Sequence, residues 1–309
     1  MCGVLALLLA DGDAACVPEL FDGLTALQHR GQDAAGMVTA TTTSAWQATK
    51  FRSRKDVGMV RDVFQQKDIS QLLGNVGLAH CRYPTAGTSS SEEAQPMYVN
   101  YPCGLALAHN GNLTNAGSER KKVAGDLRHL NTLSDSEVLL NVFGEALRKE
   151  IATNGMDSAI SGDESGCDRG PDADDLVPHL FNAVRRTMAR CRGGYAVVML
   201  IHNVGVLGFR DPWGIRPLCF GSRKSSTLPE GLDYAIASES VAVDILGYTL
   251  CGDIGPGEAV LMLPMVPGQP RKNNGLVREA CHLAPVLSPC IFEYVYFSRP
   301  DSVMNGVSV

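Results

Sequence analysis

The sequence has no hydrophobic run long enough to cross a bilayer as a helix. Its longest apolar stretches, Val4–Ala10 and Tyr195–Ile201, fall well short of the roughly 20 residues that a span requires. No basic segment precedes the first of them, which runs directly into Asp11-Gly12-Asp13. A secretory signal is therefore not expected, and a cytoplasmic location is. Positive charge is not in excess: 27 Lys plus Arg stand against 33 Asp plus Glu, for a net charge of −6. That is the wrong sign for a protein that grips nucleic acid through its phosphates. None of the 10 cysteines forms a Cys-x-x-Cys pair, so reduced and mostly buried thiols are expected rather than a disulfide framework or a zinc site. The histidines show no metal-ligand spacing, and no metal site is expected in this chain.

What is present is ordinary globular material. The 309 residues are 45% hydrophobic and 19% charged, enough for about two domains with a sizeable core. Val4–Leu9 predicts a strand ended by Asp11-Gly12, and Leu20, Phe21, Leu24 and Leu27 predict a helix over Val17–Arg30, stopped by Gly31. Further strands are predicted at Ala34–Ala40, Ala45–Phe51, Val76–Arg82, Gly104–His109, Tyr195–Ile201, Val204–Phe209, Tyr234–Ala237, Ala259–Leu263 and Ile291–Phe297. Two longer helices are predicted at Asp135–Ile151 and Leu176–Arg190, the first capped by Ser134 with Glu137 completing a capping box. The Gly-, Ser- and Asp-rich stretch 153–175 between them reads as a surface insertion. The hydrophobic pattern supports a mixed α+β domain of many short, antiparallel-type strands.

Cys2 stands out by position. Removal of Met1 would leave one residue carrying both a thiol and a free α-amine, whose ordinary pKa values lie near ~8.5 and ~7.7–8.0. Near neutral pH that amine can accept the proton of the attacking thiol without a histidine. Position alone does not distinguish this from an accident of sequence.

Four further segments accompany it: Gln28-His29-Arg30-Gly31-Gln32-Asp33, His80-Cys81-Arg82-Tyr83-Pro84-Thr85-Ala86-Gly87, His109-Asn110-Gly111-Asn112 and Ser134-Asp135-Ser136-Glu137. In order and spacing these resemble the N-terminal-nucleophile (Ntn) glutaminase domain of class II glutamine amidotransferases. Within that class, Phe209-Arg210-Asp211-Pro212, Gly214-Ile215-Arg216-Pro217, Ala237-Ser238-Glu239-Ser240 and Phe292-Glu293-Tyr294-Val295-Tyr296-Phe297 resemble the amidophosphoribosyltransferase family.

The resemblance implies an Ntn-hydrolase four-layer αββα sandwich with mainly antiparallel sheets over residues 2–263, a linker over 264–290, and the truncated start of a phosphoribosyltransferase domain over 291–309. It implies Cys2 as nucleophile, with the Asn110 amide and Gly111 N–H as oxyanion hole. Arg82 would bind the glutamine α-carboxylate, Asp135 its α-ammonium, and Thr85 would belong to a loop closing over the substrate. Arg30 and Gly31 would support the backbone around the nucleophile, and His109 would be a structural hydrogen-bonding residue.

Cys290 stands where cluster-bearing members place one iron–sulfur ligand, but one cysteine cannot hold a cluster, so the cluster-free branch is the better match. No acidic doublet leading into a phosphate-cradling Gly-Thr-Thr turn is present. Phosphoribosyl pyrophosphate, magnesium and a homo-oligomeric assembly are accordingly expected only with the missing transferase half, leaving glutamine as this chain's substrate and no cofactor of its own. Two other readings stay open at this point: the glutaminase half of another class II amidotransferase, and a catalytically idle regulatory or assembly module.

Overall fold

The computed structural model describes residues 1–42, 50–83, 90–154, 173–265 and 272–309. Two antiparallel sheets lie face to face, each covered on its outer side by helices. In chain order the elements that build them are β1 (Gly3–Leu8), α1 (Val17–Ala26), β2 (Ala34–Ala40), β3 (Arg52–Val57), α2 (Val60–Val63), α3 (Gln66–Ile69), β4 (Val76–Arg82), β5 (Met97–Asn100) and β6 (Gly104–Leu113). Then come α4 (Ala116–Gly125), α5 (Asp135–Thr153), α6 (Ala173–Arg190), β7 (Gly193–Ile201), β8 (Gly205–Arg210), β9 (Cys219–Lys224), β10 (Leu232–Ala237), α7 (Ser240–Ile245), β11 (Thr249–Asp253), β12 (Glu258–Met262) and β13 (Leu276–Ala280). One sheet has the order β11-β9-β10-β1-β4-β2-β3 and the other β13-β12-β8-β7-β6-β5.

Alternation along the strands makes the layers. In β1, Val4, Ala6 and Leu8 enter the core between the sheets, whereas Leu5 and Leu7 pack beneath α1 and α7. In β6, Ala106 and Ala108 face the other sheet, and Leu105 and Leu107 face α5 and α6. Both faces of a central strand are therefore buried, and β1 reads as continuous apolar sequence rather than as alternating polar and apolar residues. The same alternation directs Cys2, at the head of β1, Arg82, at the end of β4, and Asn110, near the end of β6, into the space between the sheets. This is the Ntn-type αββα sandwich that the resemblance implies.

Local details differ from the sequence reading. Ser134 caps α5 by accepting from the Ser136 N–H (3.2 Å), but Glu137 turns to the Asn131 and Thr132 N–H groups (2.8 and 2.7 Å), so the capping box is half formed. The expected strand at Ala45–Phe51 lies mostly outside the described residues, and the strand itself occupies Arg52–Val57. Most of the expected insertion, 155–172, also lies outside them. Residues 276–280, expected within a linker, form β13 and pair with β12. Arg278 and Glu279 give this edge strand too little apolar pattern to be seen in sequence.

Ile291–Phe297 is corrected from strand to helical turn, with Glu293–Phe297 π-helical. A single turn aims Glu293 inward while Ile291, Phe292, Val295 and Tyr296 remain 59–70% exposed. A short apolar run does not distinguish the two conformations. The hairpin β14 (Val303–Met304) and β15 (Val307–Ser308) follows.

Candidate active site

Cys2 is half-buried at the open end between the sheets. Its main chain is held on both sides: the N–H donates to Asn110 Oδ1 (3.2 Å), and the carbonyl accepts from Arg30 Nε (3.1 Å). Asn110 is fully buried, yet its Nδ2 has no hydrogen-bond partner among the described residues. One end of the amide is thus engaged by Cys2, while the other offers a desolvated donor into the same space. A buried donor without an acceptor costs roughly 1–3 kcal/mol, so this group is stabilised when an oxygen arrives.

Gly111 has φ +141, and a Cβ there would lie 2.0 Å from the Gly194 carbonyl oxygen on β7. Only glycine allows this close antiparallel approach. The Asp211 carboxylate braces that stretch of β7 by accepting from Tyr195 N–H (3.0 Å), Ile215 N–H (3.1 Å) and Trp213 N–H (2.8 Å). Burial, opposed by those N–H groups, raises its pKa.

Arg82 is buried and carries two carboxylates, Asp33 at 3.2 Å and Glu93 at 2.7 Å. The guanidinium expected to clamp a substrate is therefore already ion-paired. Gly31 lets the chain after α1 pass against it, since a Cβ would come within 2.4 Å of the Arg82 carbonyl carbon. Asp135 opens α5 and accepts from the Leu113 N–H (2.8 Å), tying the helix to the strand that carries Asn110 and Gly111. Thr85 lies outside the described residues. Cys2, Arg30, Asn110 and Gly111 are brought together directly, and Asp135 is fastened to the same strand end.

Burial is the largest influence on the Cys2 thiol and pushes its pKa up, although a Tyr83 backbone hydrogen bond and the charges of the chain terminus, Arg82 and Arg30 oppose it. Burial also lowers the Met1 amine to about 6. Burial keeps the neighbouring histidines neutral, taking His80 down to about 3 and lowering His109. His109 binds Ser136 Oγ through Nδ1 (2.9 Å) and belongs to the packing under α5.

Two glutamates to which the sequence reading gave no role stand behind Arg30. Arg30, fully buried, donates to Glu239 (2.5 Å) and Glu293 (2.6 Å). Both glutamates stand in segments quoted above for their resemblance, and only their contacts assign them a task. Burial alone would raise the Glu239 carboxyl, but the His29 hydrogen bond, the Arg30 charge and the Ser302 hydroxyl hold it at about 2 against an ordinary 4.5. A folded-state pKa below the unfolded value gives stability that is present above about pH 4.5 and lost as pH falls through about 2. Acid unfolding followed by circular dichroism should therefore be shallower over that window in Glu239→Gln than in wild type, and parallel acid limbs would contradict the assignment.

No protein-family model matches the chain. Curated relatives do: amidophosphoribosyltransferases of Pseudomonas aeruginosa, Schizosaccharomyces pombe and Escherichia coli are 47%, 44% and 42% identical over all of this chain, which covers 54% of each. Over its whole length the chain is similar to amidophosphoribosyltransferases. It spans about half the length of the curated relatives it matches. A solved glutamine phosphoribosylpyrophosphate amidotransferase from B. subtilis, complexed with ADP and GMP, superposes with a TM-score of 0.74 at 27% identity, covering 99% of this chain and 55% of that one. A structure described as the allosteric regulatory enzyme of purine biosynthesis matches with the same TM-score at 28% identity, over 99% of this chain and 54% of that one. Among the described residues no group of three or more His, Cys, Asp or Glu is placed to hold a metal ion.

Proposed function

We propose that this chain is the glutamine-hydrolysing half of an amidophosphoribosyltransferase. The observation that carries the reading is the divided Asn110 amide, bound to Cys2 through Oδ1 and open through Nδ2, with the Gly111 N–H beside it. After removal of Met1, the Cys2 amine takes the thiol proton as Sγ attacks the side-chain amide carbon of glutamine. The carbonyl oxygen becomes an oxyanion and accepts from Asn110 Nδ2 and Gly111 N–H. Collapse breaks the C–N bond, the ammonium proton passes to the departing nitrogen as ammonia, and a γ-glutamyl thioester remains. Water, deprotonated by the same amine, hydrolyses the thioester to glutamate and returns the thiol. In the complete enzyme the ammonia would displace pyrophosphate from phosphoribosyl pyrophosphate, giving phosphoribosylamine for purine biosynthesis in the cytoplasm.

Arg82 and Asp135 are the proposed readers of the α-carboxylate and α-ammonium. A guanidinium presents paired donors that a lysine does not. Arg82→Lys and Asp135→Asn should each raise the KM for glutamine about tenfold or more and change kcat less, because they bind parts of the substrate that do not react. Steady-state ammonia release tests this, and unchanged KM values in both variants would remove the pair from the substrate site. A second class II chemistry, such as an asparagine- or glucosamine-phosphate-forming synthase, has no observation in its favour here, and the intact Cys2–Asn110 arrangement speaks against an idle module.

A further inference from the structure

The Arg30 guanidinium has five N–H donors, and it is fully buried. Nε holds the Cys2 carbonyl at 3.1 Å. Nη1 reaches Glu239 Oε1 at 2.5 Å and Ser298 Oγ at 3.3 Å, and Nη2 reaches Glu293 Oε2 at 2.6 Å. Neither carboxylate is free to move. The second oxygen of Glu293 accepts from Arg216 Nη1 (3.2 Å), and that of Glu239 accepts from Ser302 Oγ (2.7 Å) and the Arg299 N–H (3.0 Å).

Four of these anchors, Glu293, Ser298, Arg299 and Ser302, lie in the segment after the second sheet. The chain of contacts from that segment to the nucleophile is two bonds long and buried. We infer that Glu293 and Glu239 are positioning residues for Cys2: through Arg30 they set the main-chain placement of the nucleophile, so the 293–302 segment governs the rate of thiol attack. The inference rests on the reading of Cys2 as the glutamine nucleophile. The physical ground is that a reacting atom displaced by about 1 Å can cost on the order of 100-fold in rate. Charge-assisted hydrogen bonds are shorter and roughly twice as strong as neutral ones.

The test is glutamine hydrolysis by the full chain carrying Glu293→Gln, which keeps shape and an acceptor but removes the charge, with Glu293→Asp as a second variant that keeps charge and loses reach. Each folded variant is expected to lose tenfold or more in kcat with KM within about twofold of wild type, because the glutamine α-substituents are read elsewhere. A purely structural role would lower the folded fraction and leave the kcat of the remaining molecules unchanged. Wild-type kcat per folded molecule in either variant, or a KM rise that accounts for the whole loss, overturns the inference while leaving the glutaminase reading intact. A wild-type chain that releases no more ammonia than Cys2→Ala overturns both.

Discussion

Cys2→Ala is expected to lower ammonia release from glutamine by at least on the order of 10⁴-fold, since removal of a covalent nucleophile takes away the reaction path rather than tuning it. The neighbouring thiol offers no substitute. Cys81 packs on the opposite face of its strand beneath α1, bonds to the Leu27 carbonyl (3.3 Å), and is pushed up to about 12 by burial. Intact-mass measurement belongs in the same experiment, because the proposed chemistry requires the amine on Cys2 itself. Active protein that retains Met1, or a Cys2→Ala rate within tenfold of wild type, would dismiss the N-terminal nucleophile.

Asn110→Ala carries the next largest effect. Losing one oxyanion donor typically costs ~10²–10³ in kcat, and here the alanine also releases the Cys2 N–H. Asn110→Asp separates the two contributions. Its carboxylate still accepts from Cys2 but offers no donor and repels a developing negative oxygen. Both variants should fall at least 100-fold in kcat with a smaller change in KM. An Asp variant that retains most of the wild-type kcat would show that Nδ2 is not the donor. The strand around Asn110 is held independently, through nine register pairs with β7 and the Leu113–Asp135 hydrogen bond, so folding should survive either change.

The legible parts of the fold were those written in local pattern. Val4–Leu8, Val76–Arg82 and Tyr195–Ile201 announce themselves as strands because a sheet buried on both faces needs continuous apolar sequence, and the helix at Asp135 follows from its capping residue and apolar spacing. The turn at Glu293 was not legible. Its apolar residues are exposed and its acidic residue is buried, the reverse of what hydrophobic pattern reports, since the burial is compensated by Arg30 and Arg216 from distant parts of the chain. The edge strand β13 escaped for a related reason: its ladder to β12 is specified by pairing rather than by its own composition.

By itself the sequence determined Cys2's place at the head of a buried strand, the Asn110-Gly111 pair, and the resemblance that their order with Arg30, Arg82 and Asp135 carries. Only the tertiary structure decided that Arg82 rests between Asp33 and Glu93, that one end of the Asn110 amide holds the Cys2 main chain while the other stays open, and that Glu239 and Glu293 reach the Cys2 carbonyl through one guanidinium. The reason is physical. Identity and period are properties of neighbouring residues, whereas a buried ion pair is fixed by which side chains two sheets and a returning segment bring within about 3 Å of each other.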